Sequence, residues 1–217
     1  MKGTSAPGID GFTVNFIQKF WPPLSHVVKN AINTSKSKGE LTITMRFAIF
    51  KLLRKGEKDP TLAANFRPIS LLSVVYKLVS CVIKNRLIKV LPQIIGKQQK
   101  AYVDSDNIGA VLLNLLSSMK SYNEKKLASL VLCIDFRKAF DSISHSYIQN
   151  VLKKLNFGDD FCDWIKLFFT NREGKILMDG HLTEKIYLEQ GVPQGDIISP
   201  YIFIIAVEIL LIKITTS

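Results

Sequence analysis

The segment Ser129-Leu-Val-Leu-Cys-Ile-Asp-Phe-Arg-Lys-Ala-Phe-Asp141 sets the expected architecture, because an unbroken apolar run, Leu130 to Ile134, ends at a carboxylate, Asp135. A run of strand length, rich in branched and aliphatic side chains and without polar alternation, suits a strand covered on both faces of a sheet. An acid at the exit of such a strand would be held rigidly at the sheet edge, where a metal-binding carboxylate needs to stand. Phe140 and a second acid, Asp141, follow. Taken alone, the same residues also describe a plain strand end followed by a helix cap, so the flanking sequence has to choose.

Downstream, Ile148, Val151, Leu152 and Leu155 repeat with helical spacing, as do Phe161, Trp164, Ile165, Phe168 and Phe169. Short strands near 174–178 and 184–188 flank a turn at Asp179-Gly180, a hairpin signal. The loop 189–200 then leads into an apolar segment from Tyr201 to Ile214. That segment follows Pro200, is interrupted by Glu208 and Lys213, and is short for a bilayer, so it reads as a buried helix.

Upstream, a Leu-rich helix is expected from Asn107 to about Tyr122. Val75, Leu78, Val79, Val82, Ile83, Leu87 and Leu91 form the apolar stripe of another, with Lys77, Lys84, Arg86 and Lys89 elsewhere on the wheel. In Asn65–Leu72, Pro68 forces Arg67 into extended backbone, which aims its side chain. Arg54 to Pro60 is a charged loop that suits a hairpin tip, and Leu41 to Leu53 is strand-like. Ser35 to Glu40 reads as a polar linker. Before it, a helix opening at Phe12 is broken or kinked at Pro22-Pro23, after a turn cluster at 4–11.

With 217 residues and 47% hydrophobic content the chain can bury the core of one ordinary domain or two small lobes. Its net charge of +11 is unevenly placed. Residues 1–100 carry 17 Lys/Arg against 4 Asp/Glu, a balance of +13, whereas residues 101–217 carry 12 against 14, a balance of −2. A basic part beside a near-neutral, acid-bearing part is what polyanion binding next to carboxylate chemistry would show. Cys81, Cys133 and Cys162 are widely spaced, as are His26, His145 and His181, which suggests neither a disulfide framework nor a zinc site. No leader is evident, so the expected setting is a reducing, intracellular one, cytoplasmic or nuclear, without a membrane.

Five motifs occur in one order: APGIDGF (6–12), NFRPISLL (65–72), QKAYV (99–103), CIDFRKAFDSISH (133–145) and QGVPQGDIISPYIF (190–203). Together they resemble the reverse transcriptase domain of non-LTR, LINE-type retrotransposons. The resemblance implies an α+β chain with the right-hand polymerase fold, comprising fingers and part of the palm, with the thumb absent. Residues 1–43 would be an N-terminal helical extension of the fingers, 44–127 the fingers and 128–217 a partial palm, with the reverse transcriptase domain as a whole at about 44–217. Its partners would be an RNA template, a DNA primer and deoxynucleoside triphosphates, and its cofactor two Mg²⁺ ions.

Nucleotidyl transfer explains why these residue types are wanted. A 3′-hydroxyl attacks an α-phosphate between two cations roughly 4 Å apart, which need several acidic oxygens to hold them. By resemblance, Asp135 matches the first metal-binding aspartate of the family, and the backbone carbonyl of Phe136 a further ligand. Arg67, with Arg54 at the fingers position, would hold the triphosphate, since arginine suits bidentate phosphate contacts. Phe140 would crowd the sugar 2′ carbon, and Gln194 and Gly195 would pack beneath the nascent base pair. Asp141 reads as structural, as a helix cap.

The family's later Phe-Ala-Asp-Asp hairpin does not occur up to Ser217, so little or no activity of this chain alone is expected, together with poor solubility. A rival reading is a non-catalytic, basic, nucleic-acid-binding remnant. Gly158-Asp159-Asp160 imitates another polymerase signature, but its flanks have helical spacing, and the acids suit a helix start. Smaller departures are Asp104-Ser-Asp106, where the family has a Gly-Arg step, and Ile197 in place of a Pro.

Overall fold

The computed structural model describes residues 6–96, 99–103 and 108–216. In order the elements are α1 (Val14–Lys19), α2 (Trp21–Lys38), α3 (Ile43–Arg46), β1 (Phe47–Arg54), a 3-10 turn at Ala63–Asn65, β2 (Phe66–Leu71), α4 (Val74–Ile94) and α5 (Ile108–Glu124). They continue with α6 (Ala139–Ser142), α7 (His145–Lys154), α8 (Asp159–Phe169), β3 (Glu173–Met178), β4 (His181–Leu182), β5 (Ile186–Tyr187) and α9 (Ser199–Thr216). The chain is thus a mixture of helix and sheet. Thr4, Ser5, Asp104 to Asp106 and Asn107, on which some expectations fell, lie outside the described residues.

Local chemistry accounts for the helix ends. The Thr13 hydroxyl accepts from Phe16 N at 3.2 Å and starts α1. The break between α1 and α2 falls at Phe20 rather than at the prolines. Pro22 and Pro23 sit inside the first turn of α2, where their missing N–H groups would have been unpaired anyway. Helix α2 runs on through Lys38 and buries Ser35, so the polar linker expected at Ser35–Glu40 shrinks to its last two residues. Asp159 and Asp160 open α8 after Gly158, beside the positive end of its dipole, and Lys36 pairs with Asp160.

The sheet runs β2-β1-β3-β4, with β5 also paired to β3. Strands β1 and β2 form the antiparallel hairpin whose tip is the charged loop, and β3 lies parallel to β1. Pro68 faces Leu52 on the edge strand β2, where a missing donor costs no ladder partner. Asp179-Gly180 turns β3 into β4 as expected from the sequence.

Most of these elements share one core, while Val14 and Ile17 of α1 pack against Val74 in a second, smaller cluster. Tyr76, Ile83, Leu87 and Leu91 of α4 are buried together with Ile148 and Leu152 of α7, Ile165 and Phe168 of α8, and Ile202 and Ile205 of α9. Among the described residues no helix is long and apolar enough to cross a membrane. Helix α9 buries its first half, and its later residues Leu210, Ile212 and Ile214 are exposed.

The central strand expected at Leu130–Ile134 does not form. Residues 127–136 have no regular structure, and Leu130, Leu132 and Ile134 are 91%, 75% and 65% exposed. An apolar run becomes a covered strand only when neighbours bond to its backbone on both edges. The described strands pair among themselves and none pairs with this run. Helix α5, which precedes it, is uncovered too, with Val111, Leu112, Leu113, Leu115 and Leu116 exposed.

Candidate functional site

Loop 189–198 is the meeting point of three sequence motifs. On one side it is stitched to the segment after Asp135: Val192 N donates to Phe140 O and Gly191 N to Ile143 O, both at 2.7 Å. The Gln194 side-chain amide donates to both oxygens of Asp141, at 3.0 and 3.2 Å. On the other side Ser70 N of β2 donates to Gln194 O at 2.8 Å. NFRPISLL, CIDFRKAFDSISH and QGVPQGDIISPYIF therefore converge through hydrogen bonds. None of these bonds could be read from spacing, because the residues they join are about 50 or more positions apart.

Within the loop, backbone approach is closest at Gly191. Its φ is +84°, and a Cβ there would stand 2.9 Å from Asp141 O and 3.0 Å from Phe140 O. At Gly195, φ is +107° and a Cβ would stand 3.1 Å from Ser70 O and 3.7 Å from the Ile69 side chain. Both positions need glycine for conformation and for space.

His145 locks the same loop from below. Its Nε2 lies 2.8 Å from Gly191 O, which makes that nitrogen the donor, and its ring stacks on Phe169 at 4.4 Å. Burial pushes its pKa below the ordinary histidine value, with the nearby Arg172 charge acting in the same direction and the bond to Gly191 opposing.

The expected site residues divide into two groups. Phe140 stacks on Phe203 of α9 with centroids 5.0 Å apart, and Phe136 meets the same ring edge-on at 6.4 Å. Ile69 is two residues beyond Arg67 on β2, so Arg67 shares the face against which Gly195 rests. Phe136, Phe140, Gln194, Gly195 and Arg67 are thus tied to one region. Arg54 is not. The register pairs Leu53 with Arg67 and Arg54 with Phe66, which puts the two arginines on opposite faces of the hairpin. Arg54 folds onto its own loop, donating to Gly56 O at 3.0 Å and to Glu57 at 3.1 Å.

Asp141 does not cap α6. Lys138 holds the cap position in left-handed backbone, and Asp141 in the first turn accepts from Gln194. Asp196, given no role by the sequence reading, is buried; it accepts from Tyr76 Oη at 2.9 Å and from the Ser80 hydroxyl. Its signal was an acid followed directly by two apolar residues, Ile197 and Ile198, before the apolar α9.

Asp135 is exposed in the irregular segment. Among the described residues no group of three or more His, Cys, Asp or Glu side chains could hold a metal ion. One carboxylate and the Phe136 carbonyl fall short of the several acidic oxygens two cations require, so these residues do not fit a complete two-metal centre.

Comparison with known proteins agrees with the motif reading. The family described as "Reverse transcriptase (RNA-dependent DNA polymerase)" matches residues 54–217. A 149 kDa uncharacterized protein of transposon TX1 from Xenopus laevis is 31% identical over 208 residues, covering 96% of this chain and 16% of that protein. A Pol polyprotein of type-1 retrotransposable element R2 from Popillia japonica is 28% identical over 214 residues, covering 98% of the chain and 29% of its own length. The RNA-directed DNA polymerase of mobile element jockey from Drosophila funebris is 26% identical over 158 residues, covering 72% and 17%. The chain therefore spans less than a third of each of these relatives.

Proposed function

The chain belongs to the reverse transcriptase (RNA-dependent DNA polymerase) family, with non-LTR retrotransposon proteins as its relatives, and on that premise we propose that it is the template- and nucleotide-holding part of a right-hand polymerase. Residues 44–127 act as fingers carrying the N-terminal extension 1–43, and residues 128–217 as part of the palm. The observation that carries this reading is the convergence of three motifs on loop 189–198 through Ser70, Phe140 and Asp141.

Each residue then has a physical task. Arg67, exposed on the face that Gly195 abuts, neutralises the triphosphate of an incoming nucleotide. Phe140, its ring fixed by Phe203, forms a wall at the sugar. Gln194 and Gly195 present a flat backbone surface beneath the base pair being formed. Arg54 reaches the triphosphate only after leaving Glu57 and crossing to the other face, so we assign it a lesser part.

The family works with divalent metal ions, for which we propose Mg²⁺. Asp135 and the Phe136 carbonyl supply one corner of what such ions need, and no step is assigned through them. The chain by itself accordingly supports little or no nucleotidyl transfer. A second reading, a non-catalytic binding remnant, is favoured by the exposed Asp135, which among the described residues belongs to no metal-holding group of acids.

The test uses an oligo(dT) primer on poly(rA) with dTTP and Mg²⁺. The polymerase-derived reading expects the chain to bind template–primer, to bind it more tightly when dTTP is present, and to extend the primer scarcely or not at all. Binding indifferent to dTTP would favour the remnant. Efficient extension by this chain would show that the acids judged missing are supplied within it.

A further inference from the structure

Beneath loop 189–198 lies a buried polar cluster that the proposed chemistry does not use. Asp196, 6% exposed, accepts from Tyr76 Oη at 2.9 Å and from the Ser80 hydroxyl, with the Ser199 hydroxyl at 3.5 Å. Arg172, 3% exposed, donates from Nη1 to the same Tyr76 oxygen at 3.2 Å and lies over the Tyr76 ring at 5.2 Å. Tyr76 is itself wholly buried and stacks edge-on against Phe168.

Such a cluster is expensive to keep. Removing a carboxylate and a guanidinium from water costs several kcal/mol each, and a hydrophobic replacement of similar volume is often as stable or more so. Arg172 is not even fully compensated, since its Nε and Nη2 are buried without a hydrogen-bond partner. A cluster that spends stability in this way fits a geometric task better than a stabilising one.

Its position indicates that task. Asp196 follows Gln194-Gly195 directly, and its carboxylate is the only side chain of those three residues that points into the core. Tyr76 and Ser80 lie one turn apart on α4, which starts just after β2. Arg172 sits immediately before β3, and its carbonyl accepts from Leu188 N at 2.9 Å at the near end of the same loop. The cluster therefore ties the loop's far end to α4 and, through Arg172, to its near end.

We propose that Asp196, Tyr76, Ser80 and Arg172 are positioning residues that fix the height of the Gln194-Gly195 backbone against β2, so that loop 190–196 is presented as a rigid platform to the template–primer. The platform's purpose rests on the polymerase reading above. The anchoring does not.

Hydrogen–deuterium exchange on the whole chain tests the anchoring. Tyr76→Phe keeps the ring and removes the hydroxyl that joins Asp196 to Arg172, and Asp196→Asn keeps one acceptor oxygen while Asp196→Ala keeps none. Loss of a charge-assisted bond should speed exchange of the amides of residues 190–192 and 194–196 and of Ser70 by roughly tenfold, with α7 amides unmoved. Asp196→Asn should fall between wild type and Asp196→Ala. Leu152→Ala, which opens a core cavity on α7, shows what global loosening looks like. Unchanged loop exchange, or a rise only in step with α7 as in Leu152→Ala, would overturn the proposal.

Template–primer affinity gives the second readout. The order wild type, Asp196→Asn, Asp196→Ala should be an order of weakening, by roughly tenfold overall. Loosened loops with unaltered affinity would overturn the platform role. Wild-type protein that binds no template–primer would instead defeat the polymerase reading, and the exchange data would still decide the anchoring.

Discussion

At the scale of single residues, Gly191 combines two constraints, a positive φ and close backbone approach. Left-handed backbone strains any residue with a Cβ, and at Gly191 that atom would also meet Asp141 O at 2.9 Å and Phe140 O at 3.0 Å. Gly191→Ala should therefore cost about 1–3 kcal/mol in denaturant melts, from strain plus displaced backbone. Gly11 shares the conformation, with φ +71° and nothing within 4 Å of a Cβ, so Gly11→Ala isolates the strain. Equal losses for the two variants would refute the clash. His145 yields a pH dependence. Its folded-state pKa is depressed by burial, so the native state binds its proton less readily than the unfolded chain. Stability from this residue is fully present above the unfolded pKa of about 6.5 and is lost as pH falls through the folded value. Melting temperature should thus drop between pH 7 and pH 5, and less steeply for His145→Gln, which can still donate to Gly191 O. An equally steep drop in the variant would assign the dependence to other groups.

At the scale of elements, what was legible in the sequence was what is decided locally. The apolar stripe Val75 to Leu91 became α4, and the repeats at Ile148 and Phe161 became α7 and α8, because helical hydrogen bonds close within the segment that encodes them. Asp179-Gly180 turned where expected for the same reason. The rest depended on partners distant in sequence. Arg54 and Arg67 looked like a pair of fixed cations, yet the β1–β2 register sends them to opposite faces, and register across the loop 55–65 is not written in either strand. Asp196 looked like a loop acid and proved to be buried, since only the fold brings Tyr76 and Arg172 to it. Leu130–Ile134 has the composition of a central strand, and none of the described strands lies beside it. That last case predicts behaviour. An uncovered apolar run, preceded by an uncovered α5, promotes self-association. Leu130→Lys combined with Leu132→Lys should raise the concentration at which the protein stays monodisperse in light scattering, with a stability change within about 0.5 kcal/mol, as for exposed positions. Marked destabilisation would mean that these side chains are covered in solution.

At the scale of the whole molecule, the governing feature is the division of charge, +13 over residues 1–100 and −2 over residues 101–217. Neutralising phosphates releases condensed counterions, so affinity for a duplex should fall linearly on a log–log plot against salt, by about 0.7–0.9 per phosphate contacted. On the proposed reading, the two faces of the hairpin would contribute unequally. Arg67 is exposed on the face shared with the Gln194-Gly195 loop, whereas Arg54 lies on the opposite face and is engaged by Glu57 and Gly56. Lys51 pairs with Ile69 and so stands on the Arg67 face. Arg67→Ala should reduce the salt slope for template–primer by about one, and Lys51→Ala by a similar amount, through the loss of one phosphate contact each. Arg54→Ala should leave the slope within error, because the cation it removes is directed elsewhere and already has an anionic neighbour. Fluorescence anisotropy titrations from 50 to 300 mM salt, over which each phosphate contact weakens binding by about 0.5–0.7 of a decade, would separate the three variants. If Arg54→Ala lowered the slope as much as Arg67→Ala, both faces of the hairpin would contact nucleic acid, and the one-sided site built on β2 and loop 189–198 would have to be abandoned.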